Sequence, residues 1–453
     1  MRTSHKVIVG LGKTGYSCAR YFRAKKLPFE VVDSSGKPPY LQKLKEEMPD
    51  IKVSAGTAWD LDPQLVHELV VSPGVSLQMK EIVSAQRAGV LITGDIDIFS
   101  HESGAPIVAI TGSNGKSTVT SMVGEMAMCA GLRVGIGGNL GVPALDLLDE
   151  RAELYVLELS SFQLETTHNL AAQVATILNI SADHLDRYAS IEDYRIAKER
   201  IFRGCARVVI NRADTDSLAY TEIDADIWSF GEEEPTSEKE TGLRWTDAGP
   251  IVMCGAEEVL PASEMKTRGT HNLVNALASI SIARAAEIPM SAIIEALRTF
   301  KGLPYRCQWV ASINDVDVYN DSKATNVGAT NAAVCGLGEG LNGKILLIAG
   351  GEGKGADFAQ LKESVGKYAA AAILYGRDSE LIEAAISEVV QVMQCNDIGA
   401  AFSHAMNIAS GGDIVLFSPA CASFDMFDDY IHRAEVFDSV VKDYAKGKGE
   451  GQL

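Results

Sequence analysis

IVAITGSNGKST, residues 107–118, is a short apolar run followed by a glycine-bearing turn and the start of a helical pattern. This order is typical of a buried parallel strand that leads into a helix through a phosphate-binding loop. The backbone N–H groups of Gly112–Gly115 would surround a polyphosphate, Lys116 would reach the β- and γ-phosphates, and Ser117 would coordinate Mg²⁺. Only two residues separate the two glycines, whereas four separate them in the general P-loop pattern. A plain strand-to-helix turn is the alternative.

Similar apolar runs recur along the chain, and longer helical patterns lie between them. The runs are Val7–Val9, Tyr155–Leu157, Val174–Leu178, Val208–Ile210, Ile345–Ile348, Ala372–Leu374 and Ile414–Phe417. Short apolar runs bounded by turn residues predict buried strands of parallel sheets, so the predicted class is α/β with several βαβ units. The chain has 453 residues, which predicts two or three domains, and we place joins near 94 and 302. The polar stretch 232–262 predicts a hairpin excursion.

Composition excludes several classes of protein. The formal net charge of -19 argues against a nucleic-acid or membrane-surface binder, because such proteins present a basic face. The eight cysteines form no Cys-x-x-Cys pair, which disfavours a zinc site and is typical of reduced thiols. We see neither a signal peptide nor a run of about 18 apolar residues, so a cytoplasmic protein is expected.

A second glycine pattern lies at Val7–Gly15, with the sequence VIVGLGKTG, and Asp33 follows about 20 positions later. The pattern matches the dinucleotide fingerprint and taken alone indicates NAD or FAD. The underlying chemistry requires only a diphosphate at a helix N-terminus and a hydroxyl-bearing group near Asp33. A nucleotide-sugar diphosphate therefore fits equally well, and a turn without a ligand is the remaining alternative.

Polar residues follow two further predicted strands. Glu158 lies at the end of the run 154–157, where its carboxylate could hold Mg²⁺ directly or through water, or could cap a helix. Asp183 and His184 follow the run Val174–Leu178 and suit a second metal position, although a lone histidine is usually structural.

Lys198 falls within an apolar stripe of a predicted helix, which consists of Ile191, Tyr194, Ile201 and Phe202. A lysine in such a stripe must extend its amine to solvent, form a pair or lose its charge. A neutral amine can react with CO₂ to give a carbamate, which is a carboxylate-like metal ligand. Periodicity alone favours an amine that reaches solvent.

Three polar loops follow strand-like segments in the last third of the chain. They are Tyr319–Asn326, Ala349–Phe358 and Phe417–Asp425. Ligands of open α/β sheets bind beyond the carboxyl ends of the strands. Lys323 and Lys354 in two of these loops therefore suit an anionic substrate carboxylate, although solvated lysines are the usual alternative.

The chain resembles the Mur ligases, and within them the branch that adds D-glutamate. The resemblance covers nearly the whole length, and the short phosphate loop is the form that this family uses. The matching stretches are Ile110–Thr120 (ITGSNGKSTVT), Gly137–Asn139 (GGN), Leu157–Glu165 (LELSSFQLE), Asp183–Tyr188 (DHLDRY), Leu303–Arg306 (LPYR), Asn320–Asn326 (NDSKATN) and Ser418–Ser423 (SPACAS).

The resemblance implies three domains. They are a Rossmann-like N-terminal domain (1–94) for a UDP-sugar, a P-loop-type central ATPase domain (95–302) and a Rossmann-like C-terminal domain (303–453) for the incoming amino acid. It implies ATP contacts at Gly112, Ser113, Asn114, Gly115, Lys116, Ser117, Thr118, Asn272, Asn275, Arg306 and Asp321. It implies metal contacts at Ser117, Glu158, His184 and a carbamylated Lys198. UDP-sugar contacts are implied at Lys13, Thr14, Asp33, Ser34, Ser72, Gly74 and Asn139, and D-glutamate contacts at Lys323, Thr325, Lys354, Ser423 and Phe424; an aromatic or apolar contact is expected at Tyr430.

The implied activity is ATP-dependent amide formation between D-glutamate and UDP-N-acetylmuramoyl-L-alanine, with Mg²⁺ and an acyl-phosphate intermediate. Lys116, His184 and Lys198 would be the catalytic residues, the protein would act as a monomer, and the joins near 94 and 302 would serve as hinges for closure. A sister ligase or folate ligase with other substrates, an NAD-dependent oxidoreductase built on Gly10–Gly15, and a nucleotide-gated scaffold protein without chemistry are the alternatives.

Overall fold

The computed structural model describes residues 5–56, 65–181, 183–184, 187–214, 225–267, 269–339 and 341–448. Three β-sheets, each with its own helices, follow one another along the chain. The fold is therefore α/β with three sheet-based units, as the sequence predicts. The boundaries at 94 and 302 stay predictions.

The N-terminal unit is a parallel sheet with helices between its strands. Its elements are β1 (Lys6–Val9), α1 (Lys13–Ala24), β2 (Phe29–Asp33), α2 (Leu41–Glu47), β3 (Val53–Ala55), β4 (Glu68–Val71), α3 (Lys80–Arg87), β5 (Leu91–Thr93) and α4 (Asp95–Glu102). Within the described residues the strand order is β3-β2-β1-β4-β5, which is the Rossmann-like order.

The central unit continues the chain with a larger sheet. Its elements are β6 (Ile107–Thr111), α5 (Lys116–Cys129), β7 (Val134–Gly138), β8 (Leu154–Glu158), α6 (Ser161–Glu165), β9 (Val174–Ile177), α7 (Ile191–Glu199), β10 (Arg207–Asn211), β11 (Asp226–Phe230), β12 (Glu240–Thr246), β13 (Gly249–Cys254), β14 (Glu257–Pro261), α8 (Thr270–Ala285) and α9 (Met290–Thr299). The described strands have the order β14-β13-β12-β11-β10-β9-β6-β8-β7. The antiparallel β12–β14 segment is the hairpin region predicted for 232–262, and it extends the sheet rather than leaving it.

The C-terminal unit is a third sheet. Its elements are β15 (Gln308–Ile313), β16 (Val316–Asn320), α10 (Val327–Gly338), β17 (Ile345–Gly350), α11 (Lys362–Tyr368), β18 (Ala369–Tyr375), α12 (Ser379–Ile386), β19 (Gln391–Gln394), α13 (Ile398–Ile408), β20 (Ile414–Phe417) and α14 (Tyr430–Lys448). The described strands have the order β15-β16-β20-β17-β18-β19, in which β15 pairs antiparallel with β16 and the other pairs are parallel.

Strand β6 lies between β8 and β9 in the central sheet, and all three run parallel. Ile110 is paired with Glu158 of β8, and Thr111 is paired with Ile177 of β9. The three carboxyl ends therefore lie side by side. Ligands of open α/β sheets bind at such an edge, so the loops after these strands form the expected site.

The N-terminal and central sheets share one apolar core. The buried side chains of Ile8, Phe99 and Leu157 belong to the same cluster, and the rings of Phe99 and Tyr155 meet edge to face with centroids 4.9 Å apart. Apolar burial contributes about 25 cal/mol per Å², so these contacts stabilise the packing of the two units in the arrangement that the structure describes. None of the helices that the structure describes has both the length and the apolar character needed to cross a bilayer.

Candidate active site

The phosphate loop between β6 and α5 is held by the neighbouring strand. Gly112 and Gly115 have φ of +150° and +81°, which side chains with a Cβ rarely adopt. Asn179, which follows β9, accepts from the Asn114 N–H at 2.8 Å and donates to the Asn114 carbonyl at 3.1 Å. No role was predicted for Asn179 from the sequence. Its position directly after a strand that pairs with β6 could have indicated that it contacts the phosphate loop.

Lys116 is the first residue of α5, and its half-buried side chain donates through Nζ to the carbonyls of Gly112 and Ser113, both at 2.8 Å. Burial lowers the pKa of Lys116, while the charges of Glu158 and Asp183 act in the opposite direction. The amine therefore lies over the loop that it is predicted to serve.

Glu158 ends β8 with its side chain buried. Its Oε1 accepts from Asn139 Nδ2 at 2.6 Å, while Oε2 is buried without a hydrogen-bond partner among the described atoms. Ser160 and Gln163 form the capping box of α6, so the interpretation of Glu158 as a helix cap is wrong. A buried carboxylate oxygen that has no partner is costly unless a cation or donor meets it.

Lys198 is buried on α7 with 1% of its surface exposed, so the interpretation that its amine reaches solvent is wrong. Its Nζ donates to the Gly112 carbonyl at 2.9 Å and to Thr111 Oγ1 at 3.2 Å, and it lies 4.5 Å from the centroid of the Tyr194 ring. The Gly112 carbonyl after β6 accepts from this amine inside the protein. The periodicity of a helix cannot reveal an acceptor that lies on another element. Burial, and next the charge of Lys116, hold the pKa of Lys198 well below its usual range. The predicted stripe is also narrower than expected, because Ile191 is 42% exposed.

His184 follows β9 and adopts a left-handed backbone with φ of +54°. Its Nε2 lies 3.8 Å from Asp183 Oδ2, and its ring centroid lies 4.8 Å from that of Phe162. His184 and Asp183 both line a cavity that Lys116 and Glu158 also line. Asp186 of the same sequence stretch lies outside the described residues.

Two residues of the C-terminal unit contact the phosphate loop. Arg306 Nη2 donates to Ser117 Oγ at 2.6 Å, and Asn326 Nδ2 lies 3.4 Å from Asn114 Oδ1. Asp321 is buried beside Arg306, accepts from the Cys307 N–H at 3.1 Å and from Ser418 Oγ at 2.7 Å, and has its pKa raised to about 7 by burial. The structure thus brings the predicted nucleotide contacts of two units together.

Lys323 lies in the loop after β16 and its Nζ is 3.8 Å from the centroid of the Tyr430 ring. Burial, and next the charge of Arg306, lower the pKa of Lys323 to about 8. The amine is therefore partly screened from water and close to the nucleotide residues. Tyr430 therefore lies beside Lys323, and its contact with the amino acid stays a prediction.

A cavity of about 510 Å³ joins these groups. The predicted residues that line it are Ser113, Asn114, Gly115, Lys116, Ser117, Thr118, Asn139, Glu158, His184, Lys198, Asn272, Asn275, Arg306, Asp321, Lys323 and Thr325. Phe162, Asn179, Tyr194 and His271 also line it, and the sequence reasoning gave none of them a ligand role. Gly112 lies behind the cavity, at the carbonyl that Lys116 and Lys198 share.

Three predicted D-glutamate contacts do not line this cavity. Lys354 is exposed with φ of +52°, Ser423 is buried, and Phe424 is 65% exposed. Their loops follow β17 and β20, at the same sheet edge as the loop that carries Lys323. Their role in binding stays a prediction.

Asn139 follows β7 of the central sheet and lines the cavity, whereas the other predicted UDP-sugar residues lie in the N-terminal unit and outside the cavity. Asp33 accepts from the N–H groups of Leu11 and Ser35, both at 2.7 Å, and Ser72 Oγ donates to the Gly10 carbonyl at 2.9 Å. Lys13 Nζ donates to the Gly141 carbonyl of the central unit. Thr14 is half-buried, and Ser34 and Gly74 are exposed. These contacts order the glycine turn and place it against the loop that carries Asn139.

The oxygen and nitrogen donors of Ser117, Glu158 and His184 fit Mg²⁺. Within the described residues no group of three or more His, Cys, Asp or Glu side chains could hold a metal ion by itself. Magnesium in phosphoryl-transfer sites is bound by one or two carboxylates together with substrate phosphates and water, and therefore needs no such cluster. Glu158 Oε2 supplies a carboxylate oxygen that is otherwise unpartnered, and Ser117 and His184 line the same cavity.

Comparisons with known proteins agree with this arrangement. Residues 4–94 match the Mur ligase MurD-like N-terminal domain, 110–283 the Mur ligase middle domain, and 305–421 the Mur ligase glutamate ligase domain. The chain is 48% identical to the UDP-N-acetylmuramoylalanine–D-glutamate ligase of Pseudomonas aeruginosa, over 97% of this chain and 98% of the relative. It is 45% identical to the enzyme of the same name from Legionella pneumophila, over 98% and 100%.

Solved structures share the fold. The UDP-N-acetylmuramate-alanine ligase of Thermotoga maritima has a TM-score of 0.60 at 20% identity, over 98% of this chain and 99% of that one. A pseudomurein peptide ligase type C from Methanothermus fervidus has a TM-score of 0.61 at 18% identity, over 97% and 100%. The three family matches and the full-length relatives show that this chain belongs to the Mur ligase family.

Proposed function

We propose that this chain is an ATP-dependent ligase that adds D-glutamate to UDP-N-acetylmuramoyl-L-alanine, a step of peptidoglycan precursor synthesis. The observation that carries the proposal is the cavity in which Lys116 of the phosphate loop lies among Arg306, Asp321 and Lys323 of the C-terminal unit. The names and full-length identity of the Pseudomonas and Legionella relatives support the choice of substrates.

The phosphate loop holds the ATP in this proposal. Backbone N–H groups from Ser113 to Ser117 and the positive end of α5 favour a polyphosphate. Lys116 leaves the loop carbonyls to reach the γ-phosphate, and Arg306, which donates to Ser117, adds a second cation. Asn272 and Asn275 lie on α8 along the same cavity and contact the nucleotide.

The reaction joins a carboxylate to an amine. The terminal L-alanine carboxylate attacks the γ-phosphorus, the bond to ADP breaks, and an acyl phosphate forms. The D-glutamate amine then attacks the acyl carbon through a tetrahedral intermediate, and inorganic phosphate leaves. The amine must lose a proton before it attacks, and His184 is a candidate acceptor only if it does not also bind the metal.

Mg²⁺ bound at Ser117, Glu158 and His184 would neutralise phosphate charge when present. Lys198 would contribute to this centre as a carbamate, formed when its neutral amine bonds to the carbon of CO₂ and releases a proton. Burial disfavours the ammonium form of Lys198, so the amine is prepared for that reaction. A carbamate also places an anion beside Lys116, which Coulomb's law favours near Mg²⁺.

The UDP-sugar binds to the N-terminal unit and D-glutamate binds to the C-terminal unit in this proposal. The UDP moiety lies on the glycine turn of the N-terminal sheet, with contacts from Lys13, Thr14, Asp33, Ser34, Ser72 and Gly74, and Asn139 meets the muramoyl group. The D-glutamate carboxylates meet Lys323 and Thr325, with Lys354, Ser423 and Phe424 closing on them from the neighbouring loops. The enzyme would act as a cytoplasmic monomer, with hinges near 94 and 302.

Phosphate release with ATP, Mg²⁺ and UDP-N-acetylmuramoyl-L-alanine tests the proposal against a panel of amino acids. Release that depends on D-glutamate is the expected result. Release with L-lysine or meso-diaminopimelate instead would assign the chain to a sister ligase activity. No release with any amino acid would contradict the ligase proposal.

A further inference from the structure

The Arg187 guanidinium joins the N-terminal and central units. Its Nη1 donates to the Pro73 carbonyl at 2.9 Å, and its Nη2 donates to the Val75 carbonyl at 3.1 Å and to Glu165 Oε2 at 2.7 Å. Its Cζ lies 4.1 Å from the centroid of the Phe162 ring. The side chain is 17% exposed, so these partners rather than water fix the planar group.

The loop that Arg187 holds forms one wall of the proposed UDP-sugar site. Ser72 Oγ donates to the Gly10 carbonyl at 2.9 Å, and the Val75 N–H donates to the Ser72 carbonyl at 2.9 Å. A Cβ added to Gly10 would lie 2.8 Å from Val75 Cγ2, which shows how closely the loop packs on the glycine turn. A group that fixes the Pro73 and Val75 carbonyls therefore fixes this wall.

Arg187 also contacts His184, through its backbone N–H. The N–H groups of Arg187 and Tyr188 donate to the His184 carbonyl at 2.9 and 3.0 Å, so Arg187 belongs to the turn that begins at His184. The Phe162 ring contacts both the guanidinium and the His184 ring, with ring centroids 4.8 Å apart. Because φ of His184 is +54°, this turn needs such support from its surroundings.

We propose that Arg187 is a positioning residue that sets the distance between the UDP-sugar site and His184. By fixing the loop 72–75 to the His184 turn, it aligns the substrate's reacting carboxylate with the phosphate loop. The effect of Arg187 on turnover rests on the proposed function, whereas its effect on the order of the loop 72–75 does not.

Arg187→Lys is the decisive variant, because lysine keeps the charge but lacks the planar fork that serves two carbonyls and a carboxylate at once. We expect kcat/KM for UDP-N-acetylmuramoyl-L-alanine to fall on the order of 10–100-fold, with a lower kcat, since misplacement by about 1 Å has this effect. The KM for ATP should be unchanged. Arg207→Lys is the matched control, because Arg207 also bonds a carbonyl and a carboxylate, those of Ala285 and Glu287, both at 2.6 Å, and does not line the cavity.

Hydrogen exchange of the ligand-free protein supplies a readout that needs no substrate. The Val75 amide should exchange faster in Arg187→Lys than in the wild type, and it should exchange at the wild-type rate in Arg207→Lys. Glu165→Gln removes the negative charge from one partner but keeps an acceptor oxygen, and Phe162→Leu removes the aromatic face of another, so each should give a smaller change in the same direction.

The outcomes separate the two proposals. If the Val75 amide exchanges faster in Arg187→Lys but the wild-type protein itself shows no turnover, the proposed function is rejected and the positioning role of Arg187 stands. Wild-type exchange and kinetics in Arg187→Lys would overturn the inference. An equal rise of the KM values for ATP and for the UDP-sugar, together with a lower melting temperature, would also overturn it, because Arg187 would then only stabilise the fold.

Discussion

Replacing Gly115 by alanine tests whether the geometry of the phosphate loop controls ATP use. Gly115 has φ of +81°, and a residue with a Cβ pays roughly 1–2 kcal/mol in that region. The added Cβ would lie 2.5 Å from Asn275 Oδ1. Because non-bonded atoms of this kind prefer about 3.5 Å, the Asn275 carboxamide must move by roughly 1 Å. A shift of about 1 Å in a positioning group costs on the order of 10²-fold in rate, so kcat/KM for ATP should fall by that factor.

Gly131 provides the matched control for this variant. It follows the other end of α5 with the same φ of +81°, and no described atom lies within 4 Å of an added Cβ. Gly131→Ala therefore carries the backbone cost without the displacement of Asn275. Both variants should lower the melting temperature by a few degrees, about 2–8 °C for 1–2 kcal/mol in a domain of this size.

The assay is phosphate release at varied ATP with the other two substrates saturating, combined with thermal unfolding of both variants. Gly131→Ala should keep the wild-type kcat/KM for ATP, while Gly115→Ala loses it and keeps its KM for D-glutamate. Equal kinetic constants in the two alanine variants would refute the reasoning, because the contact with Asn275 would then have no effect on ATP.

Three further predictions follow from the buried charges. Lys198→Ala should abolish turnover, with partial rescue by bicarbonate or short-chain acids, and near-normal phosphate release in this variant would reject the carbamate. Lys323 is charged below its pKa of about 8, so the KM for D-glutamate should rise above pH 8 in initial-rate assays, and Lys323→Met should remove that pH dependence. Asp321 has its pKa raised to about 7, so the folded state binds more protons than the unfolded state between about pH 4 and 7, and the free energy of unfolding should fall as pH rises through that window. Asp321→Asn should remove this pH dependence, which amounts to at most about 4 kcal/mol across the whole window in denaturant titrations. An unchanged pH dependence in the variant would reject the raised pKa of Asp321.

Much of the fold was predictable because parallel strands buried on both faces are continuous apolar runs. The runs at Val7–Val9, Ile107–Ile110 and Ile345–Ile348 correspond to β1, β6 and β17. Strand β7 was not predicted, because its sequence VGIGG at the sheet edge contains three glycines. Strands β3 and β5 have only three residues each, which is too short for a periodic signal.

The positions of Glu158 and His184 at the cavity were predictable, because Glu158 ends one strand of the central sheet and His184 follows another, while their roles stay predictions. The burial of Lys198 was not, because it depends on the Gly112 carbonyl, 86 positions away in the chain. The role proposed for Arg187 depends on carbonyl groups 112 and 114 positions away. A single sequence contains no signal for such pairs, since any arginine side chain could serve any exposed carbonyl.

The position of the β12–β14 segment has a practical consequence for immobilising the enzyme. Strands β9, β10 and β11 separate it from β6, and the β12–β13 turn is closed by Thr246 Oγ1, which donates to the Gly249 carbonyl at 2.7 Å. Trp245 beside this turn is 63% exposed. A tag or surface linker inserted between Asp247 and Gly249 would attach the protein at the carboxyl end of β12, with three strands between the attachment point and the phosphate loop.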